Sequence, residues 1–178
     1  EDEKVDARKA QVTTMIRFAG GFMNNAQKQI VMLATFDSLI AAQWLKNNIE
    51  ELYNLEAHLA TSTRTTPKGT HQYHVVKVER GAVNLAVATG LIDRNRAVRG
   101  LPAKIVQGKI AQVRAAWRGA FMARGILSDL GKNPYMEIIC PSNEAAMALA
   151  GLARRLGITA KPRQLSKSFR VTLTLSLI

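Results

Sequence analysis

The sequence predicts an α+β protein made of two copies of one helix–strand–strand–helix–strand–strand–helix unit. Three observations predict it. Apolar spacing switches between helical and strand periods along the chain. The order of these segments repeats. Residue n also matches residue n + 104 without a gap over residues 17–52, at nine positions: Ala19/Ala123, Gly21/Gly125, Lys28/Lys132, Met32/Met136, Ser38/Ser142, Ala41/Ala145, Ala42/Ala146, Leu45/Leu149 and Leu52/Leu156. Length and composition allow it, because 178 residues with a hydrophobic fraction of 47% can build one core or two small halves sharing one.

In the first copy, residues 4–20 form a helix, with Val5, Val12, Met15, Ile16 and Ala19 at roughly helical spacing. Gly20 and Gly21 end it. Phe22 and Met23 begin a short strand, and Asn24-Asn25 supplies a turn. Residues 28–36 form the next strand through the run Ile30, Val31, Met32 and Leu33. Asp37 or Ser38 caps a helix reaching about residue 53, with Ile40, Ala41, Trp44, Leu45, Ile49 and Leu52 on one face. Residues 55–62 and 71–78 make a hairpin around a polar loop holding Pro67 and Gly69. A helix over 79–89 stops at Gly90.

The second copy keeps this order: helix 110–125, strand 135–140, a helix from Ser142 or Asn143 to Leu156, and a hairpin from 158–164 and 169–177. The final helix of the first copy has no counterpart, so the chain is read as a piece of a longer one. The division is therefore 1–90, a Pro- and Gly-punctuated basic connector at 91–109, and 110–178. The helix opening the second copy carries a stripe of small residues, Ala111, Ala115, Gly119 and Ala123. Helix axes approach closely only where such residues meet. The stripe predicts either a close crossing of the two opening helices about a pseudo-twofold axis, or an Ala-rich helix lying on a sheet.

Charge is unevenly spread. The net charge is +12, yet residues 1–79 hold nine cations and nine anions, while residues 80–178 hold sixteen cations and four anions. A polyanion, most often nucleic acid, is the natural partner of such a field, and a solvated basic surface is the other reading. Cys140 is the sole cysteine, which excludes an intrachain disulfide and suits a reducing compartment. No apolar run approaches the roughly 18 residues of a membrane span, so no membrane partner is expected. The opening EDEKVDARK has neither an apolar signal region nor an initiator Met, and is read as processed or cut.

The stretches RKAQVTTMIRFAGGF (8–22), TGLIDRNRAVRGLP (89–102), AAWRGAFMARGILSD (115–129) and CPSNEAAMALAGLARRLGITAK (140–161) carry a resemblance. The layout is similar to the LAGLIDADG homing endonuclease fold. More closely, nearly the whole chain resembles the N-terminal part of the WhiA family, bacterial regulators built on that fold. The resemblance implies paired motif helices at the pseudo-twofold axis and two four-stranded antiparallel sheets forming a saddle. It also implies a C-terminal helix-turn-helix domain beyond this chain, and roles in transcription control, cell division and, in some bacteria, sporulation. The expected location is the cytoplasm, on the nucleoid. The string GLID at 90–93 lies in the connector and carries no nuclease inference.

Cleavage by this fold needs an acid immediately before the closing glycine of each motif helix, where two carboxylates hold divalent metal. Those slots hold Gly20 and Arg124 here. Asn24, Asn25 and Asp129 nearby offer one carboxylate, on one side. The expectation is therefore a non-enzyme with no metal and no cofactor. His71 and His74 stand three apart on a strand and point to opposite faces, a poor ligand pair. Cys140 reads as a buried strand-end thiol, and Trp44 and Trp117 as core. The candidate contacts are Arg94, Arg96, Arg99, Lys104, Lys109, Arg114, Arg118, Arg124, Arg154, Arg155, Lys161, Arg163 and Arg170. Arg124 could meet phosphate or pair with a local acid. DNA is the expected partner. The alternative is a protein-interaction module for RNA polymerase, a sigma factor or another regulator, with DNA bound by the helix-turn-helix domain.

Overall fold

The computed structural model describes residues 2–128 and 133–174. The first lobe runs α1 (Asp2–Ala19), β1 (Gly20–Asn24), β2 (Ile30–Phe36), α2 (Leu39–Tyr53), β3 (His58–Thr66), β4 (Gly69–Val78) and α3 (Ala82–Thr89). The connector holds a minimal hairpin, β5 (Ile92–Asp93) and β6 (Arg96–Ala97), and one helical turn, α4 (Ala103–Val106). The second lobe runs α5 (Ile110–Arg124), β7 (Gly125–Leu127), β8 (Tyr135–Cys140), α6 (Asn143–Arg155), β9 (Lys161–Leu165) and β10 (Ser168–Thr174). The two four-stranded antiparallel sheets have the same strand order, β1-β2-β4-β3 and β7-β8-β10-β9.

Local chemistry explains the shared boundaries. The Ser38 hydroxyl accepts from the Ala41 amide at 3.2 Å and starts α2; the Ser142 hydroxyl accepts from the Ala145 amide at 3.1 Å and starts α6. Of the two capping residues the sequence offered at each site, serine acts both times. Gly20, the first residue after α1, must lack a side chain because a Cβ there would run into the Leu33 carbonyl of β2. Asn54, at φ 52°, ends α2 in the left-handed conformation that Asn tolerates.

Several expected bounds are corrected. The first hairpin spans 58–66 and 69–78 rather than 55–62 and 71–78, and only Pro67 and Lys68 join its strands. The threonine-rich run Thr61 to Thr66 favours extended pairing, and Gly69 at φ 124° permits the tight turn. The helix expected from 79 begins at Ala82, because Gly81 sits at φ 81°. β7 was not anticipated; three residues leave too short a pattern. The second hairpin begins at Lys161 rather than 158, and of its expected 169–177 strand, 175–177 lie outside the described residues, as do Asp129 and Lys132.

The small-residue stripe marks the lobe junction. A Cβ on Gly119 would lie 2.8 Å from the Gln11 carbonyl oxygen and 3.2 Å from Met15 Cγ, so α1 and α5 touch there with almost no side chain between them. Met15 and Gly119 are equivalent under the 104-residue offset, as expected at a pseudo-twofold axis. Residues 10–16 of α1 are buried on all sides, between α5, α2 and the first sheet. This explains why α1 shows only rough helical periodicity. Thr14, in that stretch, donates its hydroxyl to the Ala10 carbonyl at 2.9 Å. Trp117 is buried, and Trp44 packs against the same core, as expected of both.

Replacing Gly119 with Ala should push the helices apart and cost about 1–3 kcal/mol. Urea unfolding checks this; an unchanged midpoint would show that the crossing has slack.

Candidate nucleic-acid interface

The two slots next to the closing glycines lie where α1 and α5 end. Gly20 has no room for a side chain, so a carboxylate there would require β2 to move. Arg124 folds across the axis. Its guanidinium donates to the Thr35 carbonyl at 2.7 Å, the Ala123 carbonyl at 2.8 Å and the Ala19 carbonyl at 3.2 Å. Ala19 and Ala123 are equivalent residues, each the penultimate or last residue of its motif helix. One cation thus binds carbonyls at the negative ends of two helix dipoles. Burial pulls the guanidinium below its ordinary value, and the nearby Asp37 carboxylate partly offsets this.

The ion-pair reading of Arg124 is corrected: no acid lies within 4 Å of it among the described residues, and Asp37 instead stands 3.5 Å from His71. Three of its five N–H donors go to backbone carbonyls. Two of the three carbonyls lie 89 and 105 residues from Arg124 in sequence, which made this arrangement invisible from local pattern. Arg17 does related work: it donates to the Gly100 carbonyl at 3.1 Å and ties α1 to the connector.

The remaining candidates fall into distinct places. Alternation along β9 and β10 puts Lys161, Arg163 and Arg170 on the sheet face turned away from the helices, with Arg163 directly opposite Arg170. The other face of this sheet holds the buried Ile138, Cys140, Val171 and Leu173. Arg170 is engaged by Glu137 at 3.2 Å. Arg94 and Arg96 are exposed at the connector hairpin. Arg114 and Arg118 form an outward stripe on α5, where Arg118 donates to Gln11 Oε1 at 3.2 Å. Arg154 is exposed at the end of α6, and Arg155 donates to the Val106 carbonyl at 2.9 Å. Arg99 is 3.7 Å from Glu144, Lys104 donates to the Ala88 carbonyl, and the Lys109 amide donates to Gln112 Oε1 at 2.8 Å. Contacts of Arg99, Lys104 and Arg155 run between the connector and the helices, with Ser142 donating to the Arg99 carbonyl at 2.8 Å.

The face of the first sheet turned away from the helices is different. It carries Met23, Leu33, Thr35, Ala60, Tyr73 and Val75, all neutral. Its two cations are occupied: Lys77 lies 2.9 Å from Glu79, and the Arg64 guanidinium stands 5.7 Å from the Tyr73 ring centroid. Among the described residues no group of three His, Cys, Asp or Glu side chains is close enough to hold a metal, and no helix is long and apolar enough to cross a membrane. His74 is buried, with Nδ1 2.8 Å from the Thr61 hydroxyl, while His71 is exposed. Cys140 is buried at the end of β8, and burial pushes its thiol up to about 12.

Two outcomes follow. Arg124→Met, which strands three carbonyls, should cost about 2–3 kcal/mol in denaturant unfolding, whereas Arg96→Ala should stay within about 0.5 kcal/mol. Cys140 should resist thiol reagents at pH 8 and react once the chain is unfolded. Because its pKa is raised on folding, its contribution to stability holds below about 8.5 and is lost as pH climbs toward 12.

Comparison with known proteins fits this architecture. The family model described as the WhiA N-terminal LAGLIDADG-like domain matches residues 5–92, and that of the WhiA LAGLIDADG-like domain matches 113–176. A probable cell division protein WhiA of Bifidobacterium longum subsp. infantis is 53% identical over 174 residues, covering 97% of this chain and 55% of that protein. One from a Mycobacterium species (strain MCS) is 44% identical, covering 94% and 51%. The chain thus spans about half the length of the curated relatives it matches. Among solved structures, full-length DUF199/WhiA from Thermatoga maritima aligns with TM-score 0.64 at 12% identity, covering 97% of this chain and 56% of that one. The I-DmoI structure in complex with DNA and Mn aligns with TM-score 0.61 at 13% identity, covering 95% and 90%; at such identities the likeness shows a shared fold. With both lobes matched by its domain models and half of all aligned residues identical to a relative, the chain belongs to the WhiA family.

Proposed function

We propose that this chain is the DNA-associated, non-cleaving LAGLIDADG-like part of a bacterial regulator acting in cell division, through transcription control and, in some bacteria, sporulation. The observation that carries the non-cleaving part is Arg124. A guanidinium occupies one acid slot and binds the carbonyl ends of both motif helices, which sets positive charge where catalysis would need metal held by carboxylates. The other slot, Gly20, has no space for an acid. Association with DNA is supported by the net charge of +12, all of it contributed after residue 79, and by the fold shared with an endonuclease solved in complex with DNA. Phosphate contacts of this kind position a protein without reading sequence, so target choice would fall to a helix-turn-helix domain of the longer protein. The setting is the cytoplasm, on the nucleoid, with no cofactor required.

A second reading has its own support. The neutral, partly apolar outer face of the first sheet suits a protein better than a phosphate backbone, so this lobe would meet RNA polymerase, a sigma factor or another regulator.

Mobility shift of a random duplex with the 178-residue chain tests the first reading. Binding should appear at low salt, with log K falling by about one per tenfold rise in salt for each phosphate neutralised. A supercoiled plasmid incubated with Mg²⁺ or Mn²⁺ should stay un-nicked. No shift at low salt would favour the protein-interaction reading, and metal-dependent nicking would overturn the non-cleaving one.

A further inference from the structure

The two sheets can be compared position by position because their registers agree. Met32 and Met136, matched by the repeat, lie opposite Val78 and Leu173. His58 lies opposite Lys77 in the first sheet, and Lys161 opposite Thr172 in the second. Counting outward from these pairs, Glu56 and Glu79 of the first lobe correspond to Thr159 and Thr174 of the second. Each lobe has a cavity at this corner. The first, of about 290 Å³, is lined by Glu56, His58, Glu79 and Arg80. The second, of about 490 Å³, is lined by Ile158, Thr159, Lys161, Arg163, Thr172 and Thr174.

Their chemistry is opposite. At the first-lobe corner two acids stand among the cations: Lys77 has Glu79 at 2.9 Å and His58 has Glu56 at 3.6 Å, while Arg80 lines the same cavity without an acid within 4 Å among the described residues. In the second lobe both acids are replaced by threonines. Lys161 and Arg163 have no acidic partner within 4 Å among the described residues, and the Thr172 hydroxyl oxygen is buried with no hydrogen-bond partner. Arg163 also faces Arg170 directly across the strands. Like charges paired in this way destabilise a sheet, and Glu137 relieves only Arg170. The corner therefore holds uncompensated positive charge beside hydroxyl donors, a combination that phosphate oxygens satisfy.

We propose that this corner of the second sheet is a phosphate subsite, occupied by a phosphodiester of bound nucleic acid, and that the second lobe grips the strand while the first sheet does not. The inference deepens the nucleic-acid reading above and rests on it. Glu56 and Glu79 of the first lobe disfavour phosphate at the equivalent corner.

Two double variants test it, both on exposed or half-exposed positions of the intact 178-residue chain, with circular dichroism and melting as fold controls. Lys161→Glu with Arg163→Glu should lower duplex affinity about tenfold or more and reduce the salt slope by about two. Arg64→Glu with Lys77→Glu, on the matching face of the first sheet, should leave the slope unchanged. If both doubles reduce it equally, or if the second-sheet double does not reduce it, the one-sided grip is overturned. Amide shifts on titration with pyrophosphate separate the subsite from the nucleic-acid reading. Shifts confined to Thr159, Lys161, Arg163 and Thr172 in a chain that fails to bind duplex would keep the anion site and overturn the nucleic-acid occupant. With neither duplex binding nor such shifts, both fall.

Discussion

Gly119 has no side chain, and Gln11 and Met15 of the opposing helix come down onto it. That contact sets the distance between α1 and α5, and almost everything else in the molecule is placed relative to those two helices. Because residues 10–16 of α1 are enclosed on every side, the helix serves both lobes at once. Any bulk at Gly119 would separate the sheets as well as the helices. The ends of α1 and α5 then arrive close enough together for a single guanidinium, that of Arg124, to reach carbonyls of both and a third on β2. The close crossing is thus the condition for the cation at the axis, and the cation in turn binds the first lobe to the second.

The position of Arg124 has a physical logic. Two helix C-termini pointing at one place create a negative potential that must be neutralised. A divalent ion can do so if carboxylates hold it. Here the half-buried Arg124 places positive charge there, with three of its donors on carbonyls. The burial cost visible in its lowered pKa is met by those three hydrogen bonds. The connector adds a second clamp, through Arg17 to Gly100, Ser142 to Arg99 and Arg155 to Val106. Arg155, one of the expected contacts, thus also holds a carbonyl of the connector.

The duplication and the fold could be read from the chain because their signals are local or additive. Ser38 and Ser142 cap helices within three residues of themselves, and alternation in 135–140 needs only its own neighbours. The failures have equally specific causes. β7 is three residues long, and the hairpin turn at Pro67-Lys68 depended on Gly69 taking φ 124°. Arg124 could not be assigned from sequence, since its partners at 19 and 35 belong to the other repeat. Nor did the sequence distinguish Arg155, tied to the connector, from Arg163, displayed on a sheet.

What the amino-acid sequence determined by itself was the order of elements, the repeat, and a net charge confined to residues after 79. Periodicity and charge are sums over residues, and they do not depend on where the chain goes. Only the tertiary structure decided which cations share a surface and which are spent inside. That outcome depends on strand register, where a shift of one residue would turn Lys161, Arg163 and Arg170 into the core, and on a helix crossing close enough to bring two chain ends within reach of one side chain.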